Sequence, residues 1–156
     1  ARARAGAAAA TKGKGADARA VAIRLCETLG KLHPDRSIGT SLSGNGLVFM
    51  GAADDLADIL GNLLDNALKW ARGSVRLSLA RDGDKLAIDI EDDGPGIAPE
   101  SRMAVLRRGL RLDESIPGTG FGLSVADELV ALYKGSLELG TSGLGGLRVT
   151  LRLPAG

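Results

Sequence analysis

The sequence predicts an α/β sandwich of the α+β kind, helices packed on a sheet, and three observations carry that expectation. Residues 55–72 place seven apolar side chains on one half of a helical wheel. Two runs, 75–79 and 86–90, alternate apolar and polar residues on either side of a four-residue turn. A third alternating run, Leu147, Val149, Leu151 and Leu153, ends at Pro154. The 156 residues are 44% hydrophobic and 25% charged, which fits one domain with a real core, and with only 3% aromatic residues that core must be aliphatic.

Residues 1–15 hold Ala, Arg, Gly and Lys without a periodic apolar face, so they read as a linker or the stub of a preceding helix, and the domain is expected over 16–156. Ala18, Val21, Ala22, Leu25 and Leu29 recur at helical spacing, with Gly30 placed to cap that helix. Residues 37–42 read as a short strand, Gly44-Asn45-Gly46 as a turn, and 47–50 as a brief apolar run. Asp54 or Asp55 marks the start of the next helix. There Leu56, Ile59, Leu60, Leu63, Leu64, Ala67 and Leu68 form the broad face, and Asp58, Asn62, Asp65, Asn66 and Lys69 a narrow opposite stripe. Gly61, Asn62 and Asn66 are poor helix formers, each costing a few tenths of a kcal/mol or more against Ala, Glu or Lys; a ligand facing the stripe would account for that cost.

Val75, Leu77 and Leu79 pair across Arg81-Asp82-Gly83-Asp84 with Leu86, Ile88 and Ile90 as a β-hairpin. Its second strand runs directly into Glu91-Asp92-Asp93-Gly94-Pro95-Gly96, so carboxylates stand at a strand end, where a loop can turn one into a pocket. Residues 98–117 hold a short helix around Met103, Val105 and Leu106 followed by charged, loosely patterned sequence, and read as a lid. Gly118, Gly120 and Gly122 precede a helix over 123–133, whose N-terminus is suited to phosphate. Strands at 136–139 and 147–153 close the sheet.

Twenty Lys+Arg against 19 Asp+Glu leave a net charge of +1, which provides no field for nucleic acid or an anionic membrane. No apolar run is long enough to cross a bilayer, and no signal-peptide core opens the chain, so it is expected to be soluble. The single cysteine, Cys26, falls on an apolar stripe and reads as a buried, inert thiol. His33, the single histidine, precedes Pro34 and reads as an exposed loop residue after a helix ending near Leu29.

Function is carried by three motifs in order: Asn62-Leu63-Leu64-Asp65-Asn66-Ala67-Leu68-Lys69, Asp92-Asp93-Gly94-Pro95-Gly96, and Gly118-Thr119-Gly120-Phe121-Gly122-Leu123. They supply amide ligands for a metal, a carboxylate for an amino purine, and glycine turns that let backbone approach phosphate, so the expected ligand is Mg-ATP. No Lys-Ser/Thr follows the last glycines and no strand leads into them, which excludes the P-loop and dinucleotide patterns.

Over residues 21–154 the chain resembles the catalytic, ATP-binding domain of sensor histidine kinases, within the superfamily that includes gyrase, the Hsp90 chaperones and MutL. The three motifs look like its N box and two glycine boxes, and Glu91 to Ile97 with Arg108-Gly109-Leu110-Arg111 is most similar to magnesium-responsive PhoQ-type kinases. The resemblance implies a Bergerat ATP-binding fold: a mixed, mostly antiparallel sheet covered on one face by helices, with a mobile ATP lid. It also implies that Asn62 and Asn66 face Mg²⁺ and the phosphates, with Asn66 the more direct ligand, and that Lys69 adds positive charge there. Asp92 would accept a hydrogen bond from the adenine amino group and disfavour guanine. Gly94, Gly96 and Ile97 would border the purine, Gly118, Thr119, Gly120, Phe121, Gly122 and Leu123 the phosphates, and Arg111 would be a lid cation.

Several positions depart from the family pattern. Trp70 stands where PhoQ-type kinases more often show tyrosine, and is expected beside the nucleotide. The phenylalanine box lacks Phe in Val105-Leu106-Arg107-Arg108, and Ile116 replaces a second lid arginine. No His-Glu-x-x-Arg-Thr-Pro sequence occurs, so no catalytic residue is assigned within this chain. The expected partners are a histidine-containing dimerisation domain, which would receive the γ-phosphate, and a response regulator downstream, all on the cytoplasmic side of an inner-membrane sensor. The alternatives are an ATPase of the gyrase or chaperone type, an anti-sigma-type serine kinase, or a non-catalytic module. An ATPase would normally carry a glutamate one turn before Asn66, where this chain has Asn62.

Overall fold

The computed structural model describes residues 15–108 and 122–156. In chain order the elements are β1 (Ala16–Asp17), α1 (Ala18–Leu32), β2 (Ser37–Leu42), β3 (Val48–Phe49), α2 (Ala53–Trp70), β4 (Ser74–Asp82), β5 (Lys85–Asp92), α3 (Pro99–Arg108), α4 (Gly122–Leu132), β6 (Ser136–Thr141) and β7 (Leu147–Pro154). A five-stranded sheet has the order β2-β4-β5-β7-β6, and β1 pairs separately with β3. Only the β2–β4 pair in the large sheet is parallel; the others are antiparallel, as the mixed-sheet expectation requires.

Period-2 alternation decides the layers. Val75, Leu77, Leu79, Leu86, Ile88, Ile90, Val149, Leu151 and Leu153 point to one face and are buried under the helices. Their neighbours on the other face carry the ion pairs Arg76–Glu91, Arg148–Asp89 and Arg152–Asp82. The seven apolar residues expected on α2 are all buried, and each leucine or isoleucine so placed contributes about 1.5–3 kcal/mol over an exposed one. Leu123, Ala126, Leu129 and Val130 bury the matching face of α4.

The hairpin is what positions the functional end. β4 begins four residues after α2 stops, and β5 returns antiparallel to it, so Asp92 pairs with Val75 and comes back beside the C-terminal end of α2. β7 runs antiparallel to β5 with Glu91 opposite Arg148, which brings the β6–β7 turn to the same end. Tyr133, next after α4, donates to Asp55 in the first turn of α2 (2.5 Å). The two packed helices therefore run in opposite directions, and the start of α4 lies toward the Asn66 end of α2.

Several local expectations are corrected. α1 continues through Gly30 to Leu32, and His33 is its cap, its N–H bonding Leu29 O, because the hydrogen-bond ladder outlasts the glycine. The α2 cap is Ala52, with Asp54 and Asp55 in the first turn, where acidic side chains favour the helix dipole. That helix ends at Trp70 rather than residue 72, since Asp93 takes the N–H groups of Arg72 and Gly73. Cys26 is half-buried rather than fully enclosed, though burial still pushes its thiol pKa up. Residues 1–14, and with them the linker expectation, lie outside the described residues.

Candidate nucleotide-binding site

Asp92 closes β5 and is 2% exposed. Its Oδ1 accepts from the N–H of Gly94 (2.9 Å) and of Leu147 (3.2 Å), and neither of these bonds engages Oδ2. Burial pushes its pKa above the ordinary value while the two amides hold it down. Asp93 points the other way. It accepts from Arg72 N (2.7 Å) and Gly73 N (3.1 Å), bonds that draw its pKa down and pin the loop to the end of α2.

The glycines of this loop are there for close approach. A Cβ on Gly94 would land on the Trp70 carbonyl oxygen, and one on Gly146 would land on Asp92 Oδ1 and within 2.6 Å of Gly94 N. Gly96 adopts φ +73°, which a side chain disfavours. Ile97 is half-buried against the core, and its carbonyl accepts from Arg102 Nε at 3.0 Å. Trp70 is half-buried at the end of α2, with its backbone against Gly94.

The polar stripe of α2 divides. Asn66 is 5% exposed, and its buried Oδ1 has no hydrogen-bond partner. An acceptor left unpaired in a protein interior costs about 1–3 kcal/mol, and this oxygen shares that condition with Asp55 Oδ1 in the first turn of the same helix. Asn62 is half-buried and donates from Nδ2 to Asp58 O (2.8 Å), a bond within its own helix that does not use its amide oxygen. Lys69 is not a lone cation: its ammonium pairs with Asp65 at 3.1 Å. His33 is also not simply exposed, because the α1–α2 packing sets its Nε2 4.0 Å from Asp65.

Leu123, in the first turn of α4, is buried, so its side chain serves the core. Arg111, Gly118, Thr119, Gly120 and Phe121 lie outside the described residues, as do residues 109–117 of the lid expectation; of its described part, Pro99–Arg108 is helical. Gly122 begins α4. The structure thus brings Trp70, Asp92, Gly94, Gly96 and Ile97 to one end of the sheet, with Asn66 one turn before Trp70 on α2 and Asn62 one turn further back, at mid-helix. It adds Gly146 and Leu147, signalled in the sequence only by the Gly145-Gly146 pair before a strand, and gives Asp93, a member of the second motif, the role of pinning the loop.

A burial-protected carboxylate at a strand end, facing a helix with an unpaired amide oxygen, is what the ordered motifs describe, and residues 51–156 match the family model of histidine kinase-, DNA gyrase B- and HSP90-like ATPases. The chain belongs to that family. The sensor protein kinase CarS of Pseudomonas aeruginosa is 46% identical over 131 residues, 83% of this chain and 29% of that one. The sensor protein PhoQ of Escherichia coli K12 is 37% identical over 126 residues, 80% and 26% respectively. Among solved structures, the mycobacterial sensor histidine kinase MprB superposes with a TM-score of 0.80 at 27% identity, covering 90% of this chain and 96% of that one. This ATPase-family domain therefore closely resembles the catalytic domains of sensor histidine kinases, PhoQ included, and it spans less than a third of the length of these two sensor kinases.

Proposed function

We propose that this domain binds Mg-ATP at the α2–β5 end of the sheet and donates the γ-phosphate to a histidine on a dimerisation domain, in a two-component sensor kinase that passes it on to a response regulator. The carrying observation is that the backbone-held Asp92 and the unpaired Asn66 Oδ1 lie at the same end of the fold. Asp92 is suited to read adenine because Oδ1 is occupied by two amides while Oδ2 takes neither, and a guanine would face the carboxylate with an oxygen instead of a donor. Asn62, on the same stripe, and Lys69, if released from Asp65, would serve the phosphate end, and the resemblance to the family's lid and second glycine box assigns Arg111 and Gly118 to Gly122 to the same task. Residues 1–15 would link the domain to the rest of such a kinase, on the cytoplasmic side of the membrane.

The residues fit a magnesium ion. Mg²⁺ prefers oxygen ligands and usually takes one or two from protein, the rest from phosphate and water, and a buried unpaired amide oxygen is such a donor. When bound, the ion would neutralise phosphate charge during transfer. The chain's own part is to orient the nucleotide: Asp92 fixes the base, Asn66 the metal end, and α4 aims its N-terminal amides toward the phosphates. Asn62 stands where a water-activating glutamate would serve an ATPase, which favours transfer over hydrolysis.

Incubating the chain with γ-labelled ATP, alone and with a histidine-bearing dimerisation domain in trans, tests this reading. Label stable to base and lost in acid is expected on the acceptor only. Label on His33, or rapid phosphate release by the chain alone, would replace it with another activity.

A further inference from the structure

The turn between β6 and β7 belongs to none of the three motifs, yet it grips the end of β5 from both faces. Successive strand residues point to opposite sides, so Glu91 and Asp92 diverge. On one side Gly146 N donates to the Asp92 carbonyl (3.1 Å) and Leu147 N to Asp92 Oδ1 (3.2 Å). On the other, the buried Ser142 hydroxyl donates to Glu91 Oε1 (3.0 Å), while Oε2 accepts from Arg76 Nη2 (3.1 Å) and Nε (3.3 Å).

Ser142 also closes the turn on itself. Its hydroxyl accepts from Leu144 N (2.9 Å), its N–H donates to Gly146 O (2.8 Å), and its carbonyl accepts from Gly145 N (3.0 Å). The turn is thus a small rigid unit whose side-chain anchor on β5 is the Ser142–Glu91 bond. The Leu147–Asp92 bond is already at the long end of the normal range, so a small shift of the turn weakens it.

We propose that Ser142 is a positioning residue for base selection: anchored on Glu91, it holds the β6–β7 turn so that the Leu147 amide orients the Asp92 carboxylate toward the amino group of an adenine nucleotide. This rests on the reading of Asp92 as the base reader. The residue touches no ligand itself. Its effect should fall on the part of the affinity that depends on the exocyclic amino group.

The test is calorimetric titration of the chain with ATP and with purine riboside triphosphate, which lacks that amino group, in the parent, Ser142→Ala, Ser142→Thr and Glu91→Gln. The parent should prefer ATP. Ser142→Ala should lose about tenfold in ATP affinity with little change for the analogue, Ser142→Thr should keep the preference, and Glu91→Gln should reduce it in the same direction. Equal losses for both nucleotides in Ser142→Ala, or an intact preference there, would overturn the positioning role while leaving Asp92 as the reader. If Ser142→Ala folds poorly, an unchanged preference in Glu91→Gln overturns it instead. A parent that does not distinguish the two nucleotides would bring down the Asp92 reading, and this inference with it.

Discussion

The two sides of the candidate site are built in opposite ways. On the β5 side, the groups that hold the loop are paired among the described residues: Asp92 Oδ1 with two amides, Asp93 with two more, Glu91 with a serine and an arginine. On the α2 side, Asn66 presents a buried oxygen with no partner, and Lys69 is engaged with Asp65 rather than aimed at an open site. In the proposed reading a base, recognised by shape and by one or two hydrogen bonds, would gain from the preorganised half. A metal–phosphate group would bring its own ligands and charge to the other.

The comparison is broken most sharply at Asp92. Asp92→Asn should lower ATP affinity about a hundredfold and narrow or reverse the preference over GTP, since the amide would offer a donor to guanine's oxygen. An unchanged adenine preference in parallel titrations would remove Asp92 from the site.

Preorganisation itself is tested at Gly94. Gly94→Ala forces a Cβ onto the Trp70 carbonyl, and overpacking of this kind costs about 1–3 kcal/mol, or several degrees in Tm for a domain this size. ATP affinity should fall with it, and a variant that melts and binds like the parent would show that the loop is soft.

For the incomplete half, Asn66→Ala should weaken Mg-ATP binding about tenfold while barely changing metal-free nucleotide binding. Its Tm should stay close to the parent's, because the lost side chain forms no hydrogen bond through its oxygen. Equal losses with and without magnesium would argue that Asn66 contacts the nucleotide directly or only shapes the helix.

The smallest effect is a pH dependence. The native Asp92 pKa lies above its ordinary 3.8, with burial as the largest cause. The folded state thus keeps its proton to higher pH than the unfolded chain does. The associated stability is fully present below about pH 3.8 and is lost as pH rises through the raised native value. Denaturant midpoints of parent and Asp92→Asn measured across that window should diverge in favour of the variant, and parallel curves would mean that Asp92 ionises as freely folded as unfolded.

Local pattern determined most of the architecture and half of the site. The apolar half of α2, the β4–β5 hairpin and the alternation of β7 were legible because each is a periodic signal contained in one segment. Asn62, Asn66 and Asp92 were singled out for the same reason: amides in a helix stripe and carboxylates at a strand end are odd choices within their own neighbourhood. The helix ends differ from their local signals, Gly30 for α1 and Asp54 or Asp55 for α2, because a helix end depends on which bonds its neighbours offer, and Tyr133 and Asp93 reach the ends of α2 from distant segments. Only the tertiary structure separated Asn66, whose buried amide oxygen has no partner, from Asn62 and Lys69, whose side chains already have partners four residues away. The same holds for Gly146, Leu147 and Ser142. They lie some fifty residues from Asp92 and reach it through the antiparallel register of β5 and β7, a long-range pairing that composition and periodicity do not encode.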